Sequence, residues 1–137
     1  MENKYYTPEI EEFHIGFEYD LIYDDEIKSL IFNENDMEHV FDFETEDLLG
    51  GLIWKLIHNR IRVKYLDSDD IENLGFDLLA TKCGKSVFDL NNIWITLNEN
   101  NFIEILNTNL GERELIFKGM IKNKSELRKL LKQLNIL

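Results

Sequence analysis

The stretch IWITLNENNFIEILNTNLGERELIFKGMIKNKSELRKLLKQLNIL, from Ile93 to Leu137, decides the fold. Ile93, Ile95 and Leu97 alternate with Trp94 and Thr96, and Ile103 and Ile105 alternate with Phe102, Glu104 and Leu106. Leu115, Phe117 and Ile121 then alternate with Ile116, Lys118 and Met120. A period of two is what a strand with one buried face requires, so three strands are expected. The links Asn98 to Asn101 and Asn107 to Glu112 are short and rich in residues that tolerate tight turns, which predicts an antiparallel meander. Beyond it Asn123 can cap a helix with Glu126 three residues on, and Leu127, Leu130, Leu131 and Leu134 share one side at helical spacing. A C-terminal amphipathic helix covering a three-stranded sheet is the expected result.

Upstream, Phe76 to Thr81 and Ser86 to Leu90 predict a hairpin around Lys82, Cys83, Gly84 and Lys85. Asp67 or Ser68 caps a short helical turn that Gly75 closes in a left-handed conformation. Ile61, Val63 and Tyr65 alternate with Arg62 and Lys64 in a strand. Thr45, Glu46 and Asp47 suit the start of a second helix near 46–58, with Leu48, Leu49, Leu52, Ile53, Leu56 and Ile57 as its stripe and Gly50 and Gly51 in its interior. Val40, Phe41 and Phe43 suggest a short strand or bend, and Asn33 to Asp36 a loop. Phe17 to Tyr23 and Ile27 to Phe32 form an N-terminal hairpin about Asp24, Asp25 and Glu26. The first dozen residues, with the only proline, Pro8, read as an extended arm anchored by Tyr5, Tyr6, Ile10 and Phe13. The fold class is α+β, largely antiparallel.

At 137 residues the length fits one domain, residues 1–137. A chain of this size buries roughly 68% of its unfolded surface, enough for a core without staples. The single cysteine, Cys83, has no internal partner, no signal-peptide pattern stands at the N-terminus, and no apolar run approaches the ~18 residues that span a bilayer. A reducing cytoplasm is the expected setting. The net charge of −12 is unevenly placed: residues 1–50 hold 16 of the 27 acids and only Lys4 and Lys28 as cations, a balance of −14. A face so charged repels nucleic acid and attracts basic surfaces.

Three stretches, KYYTPEIEEFHIGFEY (Lys4 to Tyr19), RVKYLDSDDIENLGF (Arg62 to Phe76) and IKNKSEL (Ile121 to Leu127), make up about a quarter of the chain. In wording they resemble a group of small uncharacterised proteins of bacterial phages and mobile elements. The resemblance carries no catalytic motif; it implies a setting in which small acidic proteins bind and disable host machinery.

Motif fragments point to no reaction. Gly84, Lys85 and Ser86 look like the end of a phosphate-binding loop, but Leu79 stands where that loop needs glycine and a strand follows where it needs a helix. Cys83 between Lys82 and Lys85 has the setting of a cation-stabilised thiolate, with no histidine near it in sequence. Asp67, Asp69 and Asp70 fail the calcium-loop pattern at Ile71 and Glu72 and are better read as helix caps. His14, His39 and His58 are isolated and form no zinc motif. Glu26 and Lys28 with Asp20 resemble the acids and lysine of a metal-dependent nuclease, at a spacing too short for its strand order. No metal, cofactor or catalytic residue is therefore expected.

Three functions follow. The preferred one is a non-catalytic inhibitor or adaptor whose partner-binding residues are Glu9, Glu11, Glu12, Asp24, Asp25 and Glu26, docking on the basic, nucleic-acid-binding surface of a host protein such as a defence nuclease. The alternative is a nucleic-acid-binding module using Lys124, Arg128 and Lys132 on the last helix, with Lys122, Lys129, Arg60, Arg62 and Lys64 in support. A metal-dependent hydrolase built on dispersed carboxylates is the third.

Overall fold

The computed structural model describes residues 4–40 and 51–137. Two antiparallel sheets and, among these residues, four short helices make an α+β fold. The chain packs as two compact units, residues 1–64 and 65–137.

The first unit holds strands β1 (Tyr5–Tyr6), β2 (Glu18–Tyr23), β3 (Glu26–Ile31) and β4 (Ile61–Lys64), in the order β1-β4-β2-β3. Alternation along β2 and β4 turns Tyr19, Leu21, Ile61 and Val63 to one side, where they join Phe17, Phe32 and Leu52 in a core. Phe13 fills its border, its ring centroid 4.7 Å from that of Phe17 and 5.4 Å from that of Phe32. The expected arm is more ordered than extended chain: Tyr5 and Tyr6 pair with Lys64 and Val63, and Ile10–Glu12 coil into a 3-10 turn.

Asn33 to Asp36 is not a loop. It opens helix α1 (Glu34–Glu38), where the Asn33 side chain accepts from the Asp36 amide at 3.0 Å and the Asp36 carboxylate accepts from the Asn33 amide at 2.9 Å. That reciprocal cap satisfies two donors that the first turn leaves free. Helix α2 (Leu52–Ile57) has Gly51 as its N-cap, so this glycine starts the described helix instead of weakening its interior. The expected start at Thr45 to Asp47, the stripe positions Leu48 and Leu49, Gly50, and the bend at Phe41 and Phe43 lie outside the described residues.

The second unit begins with α3 (Ser68–Asn73), capped by Asp67 and followed by Gly75 at φ +105°. Five strands follow as one meander: β5 (Asp77–Lys82), β6 (Lys85–Leu90), β7 (Ile93–Leu97), β8 (Phe102–Asn107) and β9 (Glu114–Met120). The sheet is wider than three strands because one tight turn closes the upstream hairpin and a second joins it to the meander. Cys83 and Gly84 have φ of 53° and 77°, and Asn91 and Asn92 have φ of 49° and 68°. Two successive left-handed residues give the turn whose twist matches paired strands. Helix α4 (Lys124–Gln133) starts at Asn123, whose side chain accepts from the Glu126 amide at 2.8 Å. It lays Leu127 and Leu131, both fully buried, in a core with Phe88, Ile95, Ile103, Ile105, Ile71 and Phe76. Both outer strands of this sheet are irregular. Leu79 is an extra residue where β5 meets β6, and Ile116 where β9 meets β8.

Candidate functional site

The acidic residues of the first unit stand on two elements. Glu9, Glu11 and Glu12 surround the 3-10 turn, while Asp24, Asp25 and Glu26 occupy the tip of the β2–β3 hairpin, with Asp24 at φ 51°. Glu9, Glu11, Asp24, Asp25 and Glu26 are exposed. Glu12 differs from the other five: its carboxylate accepts from the Tyr6 hydroxyl at 2.7 Å and from the Glu9 amide at 2.7 Å, and it is half-buried and held in the turn. Helix α1 adds three acids that the sequence reading passed over, Glu34, Asp36 and Glu38; the first and last are exposed.

The unit boundary also redraws the charge. Residues 1–64 hold sixteen acids against six bases, a net of −10, and residues 65–137 hold eleven against nine, a net of −2. Lys55, Arg60, Arg62 and Lys64 thus share a unit with the acidic segment. Arg62 faces inward on that charge: its Nε donates to Asp20 Oδ2 at 3.1 Å and its guanidinium lies 3.7 Å from the centroid of the Tyr5 ring. Arg60 sits 5.6 Å from the centroid of the Tyr23 ring.

The nuclease-like trio does not assemble. Asp20 pairs with Arg62 and Ser29, whereas Glu26 and Lys28 pair with Tyr23 and Leu21. Side chains alternate across a strand, so Asp20 projects from the opposite side of the sheet to Glu26 and Lys28. Asp67 and Asp70 bond each other's amides at 3.2 and 3.0 Å in a helix cap. Cys83 and Gly84 form a hairpin turn under the Glu99 carboxylate, which would stand 2.7 Å from a methyl group added at Gly84. His14 bonds the Ile15 carbonyl at 3.0 Å and His58 packs at a tilt against Trp54 with centroids 4.1 Å apart. Among the described residues no three His, Cys, Asp or Glu side chains gather where they could hold a metal ion, and no helix is long and apolar enough to cross a membrane.

On α4, Lys124 and Arg128 are half-buried and Lys132 is exposed, so the three cations do not form one equally open stripe. In the first unit a pocket of about 40 Å³ is lined by Tyr19, Phe32, Asp36, His39, Gly51, Leu52 and Lys55. Burial, and then the nearby Asp36 charge, push the Tyr19 phenol up to about 12. Ligand pockets run to about 300–1,000 Å³, so this one suits ordered water and not an organic substrate.

The fold and this surface define an acidic α+β protein with its charge on the first unit. No protein-family model matches the chain, and neither a similar curated protein nor a similar solved structure was found.

Proposed function

We propose that the chain is a non-catalytic interaction protein whose acidic first unit docks on a basic surface of a partner protein. The observation that carries this reading is the exposure of Glu9, Glu11, Asp24, Asp25 and Glu26 on a unit with a net charge of −10. Like-charge crowding of this kind opposes compaction, and its use lies in steering an oppositely charged surface and in excluding nucleic acid. The resemblance to phage and mobile-element proteins supplies the setting: an inhibitor or adaptor acting in a reducing cytoplasm on the nucleic-acid-binding groove of a host protein.

The test is capture of partners from a bacterial host lysate with and without nuclease, followed by surface plasmon resonance on the captured protein at two salt concentrations. Neutralising Glu9, Glu11, Asp24, Asp25 and Glu26 to Gln and Asn is expected to slow association, and added salt to weaken the wild-type complex. Equal on-rates for both proteins would reduce the acidic surface to an aid to solubility. Nuclease-sensitive capture, with a shift of nucleic acid in a gel that Lys124→Glu, Arg128→Glu and Lys132→Glu abolish, would favour the nucleic-acid module instead.

A further inference from the structure

The outer edge of β3 has a geometry that charge alone lacks. Tyr23 pairs with Glu26 across a two-residue turn, and the Phe32 amide donates to the Phe17 carbonyl at 2.8 Å. The backbone groups of Glu26, Lys28, Leu30 and Phe32 therefore face β2, because bonding alternates along an antiparallel strand. Those of Ile27, Ser29 and Ile31 point away from the sheet. Among the described residues no strand pairs with them. Their side chains are open as well, Ile27 at 53% and Ile31 at 58% exposure. Both outer strands of the second sheet carry a bulge, a common means of blunting an edge, whereas β3 keeps unbroken register over six residues.

Charge selects the occupant. Between residues 24 and 38 six acids, Asp24, Asp25, Glu26, Glu34, Asp36 and Glu38, stand against one cation, Lys28. A second copy pairing antiparallel about Ser29 would set Asp24 and Asp25 of each chain opposite Glu34 and Asn33 of the other. Like charges at both ends, on chains of −12 each, oppose that joint. A basic strand meets attraction at both ends. We propose that β3 takes up an extended basic segment of a partner protein as an added strand, its apolar side chains beside Ile27 and Ile31 and its cations near Asp24, Asp25 and Glu34. This rests on the acidic-surface reading and adds to it the mode of recognition.

The probe is an alternating lysine-valine decapeptide, compared with the same peptide N-methylated throughout, which keeps its charge and loses its amide donors. Hydrogen exchange followed by NMR is expected to slow at Ile27, Ser29 and Ile31 only with the unmethylated peptide. Ile27→Pro removes one outward donor without touching the ladder to β2 and is expected to weaken binding about tenfold, while Ile27→Val does not. A thermal melt checks that each variant is folded. Equal, salt-sensitive binding of both peptides without protection would overturn the strand addition and leave the acidic-surface reading standing. No binding of the decapeptide at low salt would overturn the strand addition, and the acidic-surface reading is then decided separately by the on-rates of the neutralised variant. Sedimentation showing self-association that Ile27→Pro abolishes would assign the edge to a second copy and overturn the proposal.

Discussion

Arg62 donates through Nε to Oδ2 of Asp20 at 3.1 Å, across the pairing of β4 with β2. Ser29 on β3 donates to the other oxygen of Asp20 at 3.0 Å, and Tyr5 on β1 lies under the guanidinium. One row of four side chains thus crosses all four strands of the first sheet. An ion pair and a cation-ring contact on one arginine make this a polar tie across the sheet, in a place where the sequence suggests only a basic strand.

Arg62→Ala is expected to destabilise the first unit by about 1–2 kcal/mol, since it removes a charge-assisted hydrogen bond and a stacked ring together. The pair is largely shielded, with side-chain exposures of 28% and 20%, so solvent screening does not erase it. Arg62→Lys should recover little, because an ammonium lacks the planar fork that stacks on Tyr5 while bonding Asp20. Urea denaturation read by far-ultraviolet circular dichroism measures both.

Glu12 and Glu11 are neighbours with opposite roles. Glu12→Ala should cost about 1 kcal/mol by freeing the Tyr6 hydroxyl and the Glu9 amide, while Glu11→Ala stays within about 0.5 kcal/mol of wild type. Melting curves of the two variants should separate accordingly.

Leu131 is fully buried beneath α4, whereas Leu130 is only half-buried. Leu131→Asp is expected to unfold the second unit, because a carboxylate there has neither water nor partner, and Leu131→Ala to cost about 2–5 kcal/mol. Leu130→Asp should be milder, as its side chain can turn toward solvent. Loss of near-ultraviolet signal from Trp94, isolated by replacing Trp54 with Phe, reports the difference.

Alkaline titration tests the burial of Tyr19. Its folded value of about 12 lies above the ordinary 10.0, so the folded state holds the phenol proton more tightly. The associated stability is therefore complete below about 10 and is lost as pH rises through about 12. Tyr19→Phe should flatten this dependence, and ultraviolet difference absorbance of phenolate should show one late-titrating tyrosine fewer.

The second unit was legible from sequence because its information is local. Each strand from β5 to β9 pairs with the next along the chain, and the turns at Cys83-Gly84 and Asn91-Asn92 carry glycine or asparagine, residues suited to positive φ. The Asn123 cap and the leucine face of α4 were equally readable. Of the first sheet only the β2–β3 hairpin and the β4 strand itself are legible, since β1 and β2 both pair with β4 from far away in sequence and no local pattern declares such a partner. Helix α1 has a local signal of its own: Asn33 and Asp36 have the same spacing as Asp67 and Asp70, whose side chains read as a cap. Of the candidate surface, the exposed hairpin tip at Asp24 to Glu26 followed from turn chemistry. The role of Glu12 did not, because Tyr6 reaches it only once β1 is in place.

The nearest-neighbour order of the five-stranded sheet also bears on how the protein forms. Closing short links, two of them of only two residues, requires little chain entropy, so the meander can zip strand by strand at low contact order. In the first unit Tyr5 must find Lys64 and Asp20 must find Arg62 before the sheet exists. During synthesis the acidic N-terminal hairpin therefore leaves the ribosome ahead of the strand that completes its sheet, and waits for it with its edges unpaired. The many carboxylates on that segment repel one another between copies, which opposes pairing of nascent chains through those edges.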